Sequence, residues 1–190
     1  MVITDPVVLD AVNSILSAIN EDGVNSLVDL EDTDAINALN MLKSTNRAFQ
    51  SRGWSFNTFE EYKLNTDAIT GRIKWPDNIL SMTSDDGYQL IKRDGYVYDI
   101  DNATFKFPSS GIRVNVVLLM DFSSIPVSAQ EYVIAKASAR FSTRYLGDDS
   151  LSTILSQREQ EAWTYFNEQE HIVSPVNMLE NTYISGVKQR

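Results

Sequence analysis

Four pairs of neighbouring carboxylates have the residue type and spacing for chemistry: Glu60-Glu61, Asp85-Asp86, Asp148-Asp149 and Glu159 with Glu161. Two carboxyl groups about 5–10 Å apart across a cleft can cleave a glycosidic bond, one as acid and one as base or nucleophile. Each pair also has a plainer reading: strand edge, hairpin turn, helix cap and solvated helix face. The chain holds 26 acidic residues among 190, so adjacent pairs arise without any catalytic demand. His171 is the only histidine, and any Ser-His-Asp arrangement depends on it. It follows Glu170 at the end of a helical stretch, where a cation suits the helix dipole. There is no G-x-S-x-G elbow, no P-loop and no G-x-G-x-x-G. Asp99, Asp101 and Asn102 begin like a calcium loop. Ala103 and Thr104 then occupy the fifth and sixth positions, where an oxygen ligand and a glycine are required. A turn is expected there instead. Asn102-Ala103-Thr104 also matches a glycosylation acceptor, which carries no weight without a secretory signal. With no cysteine and one histidine, neither a disulfide framework nor a thiolate or His-rich metal site is available. The expectation is no catalytic residue, no metal and no cofactor.

Charge narrows the partners. Lysine and arginine number 16 against 26 acids, a formal balance of −10. Such a chain is a poor static binder of nucleic acid, because phosphate contacts need basic groups. The balance is uneven: Met1 to Leu42 carries Asp5, Asp10, Glu21, Asp22, Asp29, Glu31, Asp32 and Asp34 and no lysine or arginine. The closing SGVKQR carries only positive side chains. Opposite charge at the two ends of a chain points to docking surfaces of opposite sign. The aromatic stretches Trp54/Phe56/Phe59 and Tyr96/Tyr98 have the form of base-stacking platforms, with Arg52, Lys92 and Arg93 near them. Core packing and cross-strand pairing are the plainer account of them, because the basic groups around them are few.

The elements that position these residues follow from periodicity. Asp5-Pro6 starts a helix, with Leu9, Val12, Ile15, Leu16 and Ile19 at helical spacing and Gly23 as its stop. A second helix starts near Asp32 or Thr33, with Ile36, Leu39, Leu42 and Phe49 as its apolar face and Ala35 and Ala38 beside it. Gly53 supplies its left-handed stop. Beyond Gly53 the period becomes twofold, and Trp54, Phe56 and Thr58 share one strand face. Asp86-Gly87, Asp94-Gly95, Asp101-Asn102 and Ser110-Gly111 punctuate an antiparallel meander, with Ile112–Met120 as its central strand. Helical spacing returns after Pro126, with Val133, Ile134, Ala137, Phe141 and Tyr145 in one stripe. After Gly147 a last helix has Leu151, Ile154, Leu155, Ala162, Tyr165 and Phe166 as its inner face. The expected fold is α+β. Residues 1–53 and 124–171 form a helical bundle, 54–123 an inserted β-rich region, and 172–190 an extended arm. No apolar run reaches the roughly 18 residues of a membrane span, and MVITDPVVLD lacks the basic and apolar regions of a secretory signal.

Six stretches in order, AVNSILSAINEDGVNSL, RAFQSRGWSFN, DGYVYD, SSGIRVNVVLL, IAKASARFSTRYLG and NMLEN, carry a resemblance over nearly the whole chain. The sequence resembles tail tubular protein A, the head-to-tail adaptor of short-tailed phages of the autographivirus type. The resemblance implies a structural virion protein: a ring, generally of twelve copies, below the portal protein. It joins the portal to the nozzle (tail tubular protein B), with tail fibres attached near that junction and DNA passing through as cargo. It implies assembly in the host cytoplasm, which the missing cysteines suit, and it carries over no catalytic signature. On this reading Tyr183 and Ile184 are apolar anchors of an arm on the portal, with Lys188 and Arg190 as charge partners. The turns Asp86-Gly87 and Asp94-Gly95 face the nozzle or fibre. Gly53, Trp54 and Phe56 form the junction between helical and β regions. The alternative is a glycan hydrolase acting on the bacterial envelope through one of the acid pairs.

Overall fold

Asp5 opens the first helix as its sequence suggests: its carboxylate accepts a hydrogen bond from the Val7 N–H at 2.9 Å, and Pro6 occupies the first turn. A computed structural model describes residues 5–28, 30–84, 86–145 and 149–173. Helix α1 runs Pro6–Ser17 and buries Ala11, Val12, Ile15 and Leu16. It ends six residues before Gly23. The left-handed residue is Asn20, at φ 63°. Gly23 has a different task, lying against the Asn13 side chain, whose amide is bonded both ways to the Val24 backbone at 2.8 and 3.0 Å. That staple folds the α1–α2 connection back on α1. Helix α2, Thr33–Gln50, is capped by Asp32, which accepts from the Ala35 N–H at 2.9 Å. Its buried face is Ala35, Ala38, Leu42 and Phe49 together with polar Thr45, Asn46 and Gln50; Ile36 lies on the exposed rim. Small alanines let neighbouring helices approach, which turns the face away from Ile36.

Gly53 is left-handed at φ 75°, and a Cβ there would crowd Val117 and Thr58. Trp54, Ser55, Phe56 and Asn57 then form a turn, not a strand. The Asn57 side chain accepts from the Trp54 N–H at 2.7 Å and closes that turn. Strand β1 begins only at Thr58 and runs to Leu64. The others are β2 Ile79–Thr83, β3 Leu90–Arg93, β4 Tyr96–Asp99 and β5 Ile112–Leu118. All pairings are antiparallel. The order is not that of a single meander: β5 lies between β1 and β2, and β3 pairs with β4 in a separate hairpin. Strand β5 is central as its apolar run implies, with Ile112, Val114, Val116 and Leu118 buried at every second position. Between β4 and β5, Thr104 adds only a bridge, to Asp99.

Helices α3, Val127–Tyr145, and α4, Asp149–Val173, complete the α+β fold. Helix α4 buries only Leu155 and Phe166 fully; Ile154 and Tyr165 are exposed, and Trp163 packs where they were expected. It continues through His171 to Val173, so Ile172 and Val173 are helical and exposed rather than part of an extended arm. Two clusters of buried residues result. One joins α1, α2, α3 and Phe166 of α4; the other joins the strands with Ile73, Trp75 and Phe107. Met120 packs against both. Among the described residues no helix is long and apolar enough to cross a membrane.

Candidate functional site

The end of α2 meets the end of α4 through aromatic rings. Phe49 lies 5.1 Å from Trp54 in a stack and 5.0 Å from Phe166 edge-on; Trp54 meets Phe166 at 4.8 Å and Trp163 at 5.8 Å. Tyr132 of α3 joins at 4.8 Å from Trp163 and 5.2 Å from Phe49. The Trp54 indole N–H donates to the Phe49 carbonyl at 2.8 Å, one of the last carbonyls of α2, which also accepts from the Arg52 N–H at 3.3 Å. The Arg52 guanidinium sits 5.6 Å over Trp163. Glu170 near the end of α4 reaches back, its carboxylate accepting from the Ser55 N–H at 2.6 Å and the Ser55 hydroxyl at 2.9 Å. The GWSF turn is thus clamped by α4 on one side and by α2 on the other. Trp54 and Phe56 both pack on the helical cluster.

A polar seam continues from this turn to the sheet. Gln50 is fully buried; its side chain donates to the Met120 carbonyl at 3.0 Å and to Asn46 at 2.9 Å, and accepts from the Met120 N–H at 2.8 Å. Asn57, also fully buried, donates to the carbonyls of Gln50 at 2.9 Å and Leu118 at 2.8 Å. Two amide side chains therefore tie the end of α2 to the end of β5, and the oxygen and nitrogen of both amides find partners. Beside the seam opens a cavity of about 670 Å³, floored by Val8, Leu42, Met120 and Phe122. At its rim the Ser123 hydroxyl donates to Asp5. That bond above all, with the Val7 and Val8 N–H groups, holds the Asp5 carboxyl below its ordinary 3.8 against the opposing effect of desolvation. On α3, burial pushes the Lys136 ammonium down, but its bonds to Tyr132 at 2.9 Å and Glu159 at 3.0 Å outweigh this and raise it above 10.5.

The acid pairs are distributed rather than convergent. Glu61 is a left-handed residue in a bulge of β1, at φ 51°, and pairs with Arg113 at 2.8 Å on the surface. Glu159 is held by Lys136, while Glu161 accepts from Gln157 on its own helix. Asp149 stands at the start of α4; Asp85 and Asp148 lie outside the described residues. Asp99 is buried in a turn, its carboxylate accepting from the Asn102 amide at 2.6 Å and the Asp101 N–H at 3.1 Å. His171 is exposed on the last turns of α4.

Both turns expected at a partner face are open. Asp94-Gly95 makes the two-residue β3–β4 turn, with φ 51° and 79°. Gly87 has φ 83°, and an added Cβ would meet nothing at either glycine. The two turns flank opposite ends of β3 and do not sit side by side. The arm residues Tyr183, Ile184, Lys188 and Arg190 lie outside the described residues. The sequence reading missed Gln50, Asn57 and Trp163. A glutamine at a helix end and an asparagine in a turn carry no pattern that marks them as buried, whereas Trp163 at helical spacing before Phe166 was a usable signal.

The tail tubular protein family profile matches residues 9–175, most of the chain. The chain belongs to the tail tubular protein family. No curated protein matches it. This tail tubular protein is accordingly a structural component of a phage tail.

Proposed function

We propose that the tail tubular protein is the subunit of a head-to-tail adaptor ring, of the A type found in short-tailed phages. Twelve copies join the portal protein to the nozzle, with tail fibres attached nearby, and DNA passes through without being held. The observation that carries this reading is the family match from residue 9 to residue 175, which takes in both the helical cluster and the strands. The double clamp on the GWSF turn supports it, because a ring subunit must keep a fixed angle between the parts that meet different neighbours. Tyr183, Ile184, Lys188 and Arg190 are proposed to contact the portal. Asp86-Gly87 and Asp94-Gly95 are proposed as separate contact points for nozzle or fibre. The test mixes the chain with purified portal protein and follows mass by light scattering and shape by electron microscopy. A ring added to the portal with twelvefold symmetry is expected; a well-folded chain that leaves the portal unchanged refutes the adaptor role.

A further inference from the structure

The outward face of the β3–β4 hairpin is left unused by the adaptor reading, which takes only the turn at its tip, Asp94-Gly95. Direct cross-strand partners share a face of a sheet. Arg93 is opposite Tyr96, and Tyr96 is bridged on its other side to Lys74, so Arg93, Tyr96 and Lys74 form one row across the two strands and the segment bridged to them. The next row pairs Ile91, 41% exposed, with Tyr98. The inner face is set by fully buried Val97, so these rows point outward. Arginines lie against the rings. The Arg93 guanidinium is 4.8 Å over Tyr98, and that of Arg72 is 5.4 Å over Tyr96 and 5.2 Å over Phe105. Phe105 in turn meets Tyr98 edge-on at 4.8 Å. Among the described residues none of Arg72, Lys74 or Arg93 forms an ion pair. Arginine, tyrosine and exposed isoleucine on a preformed face are the composition of an interface centre, not of a solvated surface. The rings hold the guanidinium planes in place, which lowers the ordering cost of a contact.

The same chain carries the complement. Between Asp5 and Leu42 there is no lysine or arginine, and Asp10, Glu21, Asp22 and Glu31 are exposed. The connection that bears three of them is stapled to α1 through Asn13 and Val24, two residues beyond Asp22. We propose that the Arg72/Lys74/Arg93 aromatic face docks onto the acidic α1–α2 connection of a second copy of this chain. The two surfaces are different parts of one molecule, so the contact is head-to-tail. It leaves one surface of each kind free for the next copy and propagates until rotation closes it. This deepens the ring reading and rests on it. A passing polyanion is disfavoured because the remainder of the chain repels it.

The test uses the full chain and three variants: Arg72→Glu with Arg93→Glu, the milder Arg72→Gln with Arg93→Gln, and Glu21→Lys with Asp22→Lys and Glu31→Lys. Far-ultraviolet circular dichroism and melting check that each is folded; the glutamine pair serves where the glutamate pair fails that check. Sedimentation velocity is run over a concentration series at low and high salt, with and without a single-stranded oligonucleotide. Wild type is expected to self-associate, more weakly in high salt. Each reversal is expected to raise the dissociation constant at least about tenfold, with a smaller rise for the glutamine pair. An equimolar mixture of the two charge-reversed variants is expected to restore association, because every contact in an alternating assembly is again complementary. Self-association that ignores the reversals refutes this interface and leaves the ring standing. Failure of the wild type to self-associate at any concentration in low salt also refutes it, while the ring reading is judged separately by the portal mixture. Oligonucleotide binding that is lost in the glutamate variant, without self-association, assigns the face to nucleic acid and overturns the proposal.

Discussion

Trp54→Ala removes the ring on which the end of α2, the turn and α4 converge. The indole is partly buried, stacked on Phe49, and edge-on to Phe166 and Trp163. Aromatic side chains bury roughly 150–250 Å² when fully enclosed. Truncating a partly enclosed one to alanine forfeits about 120 Å² of apolar contact, or about 3 kcal/mol at 25 cal/mol per Å². The bond to the Phe49 carbonyl adds about 1 kcal/mol, reduced where water can reach that helix end. The total is about 3–4 kcal/mol. At about 2–4 °C per kcal/mol for a chain of this size, the melting temperature should fall by roughly 6–16 °C. Urea unfolding followed by far-ultraviolet circular dichroism gives the free energy, and near-ultraviolet dichroism reports the ring cluster. Trp54→Phe keeps most of the stacking and loses the hydrogen bond, so it should cost about 1–2 kcal/mol. A loss below about 1 kcal/mol in Trp54→Ala would mean that α2 and α4 hold each other without the turn, and the clamp argument fails.

Three other outcomes follow from the same geometry. Gln50→Leu strands the part-buried Met120 N–H and carbonyl and should cost about 1–3 kcal/mol in urea unfolding; a near-neutral result would show that water fills the seam. Gly111→Ala places a Cβ against the Leu64 carbonyl at a backbone φ of 80°, and should destabilise by more than about 2 kcal/mol, with β1 losing its amide-exchange protection first. Asp5 and Asp67 both have carboxyls held below 3.8, Asp5 chiefly by Ser123 and Asp67 chiefly by the Thr70 N–H. A depressed folded value gives stability that is present above the unfolded value and lost as pH falls through the folded one. Melting temperature should therefore drop below about pH 3.8, and Asp5→Asn with Asp67→Asn should flatten that drop; an unchanged acid limb would refute the assignment.

What was legible in the sequence was local. Asp5-Pro6, Asp32 and Gly53 specify helix ends within four residues of themselves, and they do so in the structure. The alternation in β5 is read from one strand alone. What failed needed distant partners. Gln50 is explained by Met120, 70 residues away, and Asn57 by Leu118, 61 residues away. The insertion of β5 between β1 and β2 is decided by the shared cluster beneath them, which turn residues do not encode. Trp54 and Phe56 alternate like a strand, but the Asn57 side chain and Glu170 fold that stretch into a turn. The long period of α4 misled in another way: its outward Ile154 and Tyr165 keep helical spacing without having a core to face.

Strand β1 has an open edge, six of its seven residues are exposed, and Phe59 and Tyr62 stand on it. Such an edge invites another strand, and a protein made in many copies meets many others of its kind. The bulge at Glu60 and Glu61 spoils the template. Glu61 is turned to φ 51°, its N–H donates to Asn115 at 3.1 Å, and its carboxylate is held by Arg113. A straight incoming strand finds its hydrogen-bond register broken mid-way and a charge in its path. The consequence concerns timing rather than architecture: on the proposed ring, newly made subunits would accumulate without tangling into sheets, and the joining of copies would be left to surfaces that recognise one another by charge and shape. Removing Glu61 to straighten the strand should convert stored protein into thioflavin-binding aggregates, and a deletion variant that stays clear at the same concentration would show that the bulge guards nothing.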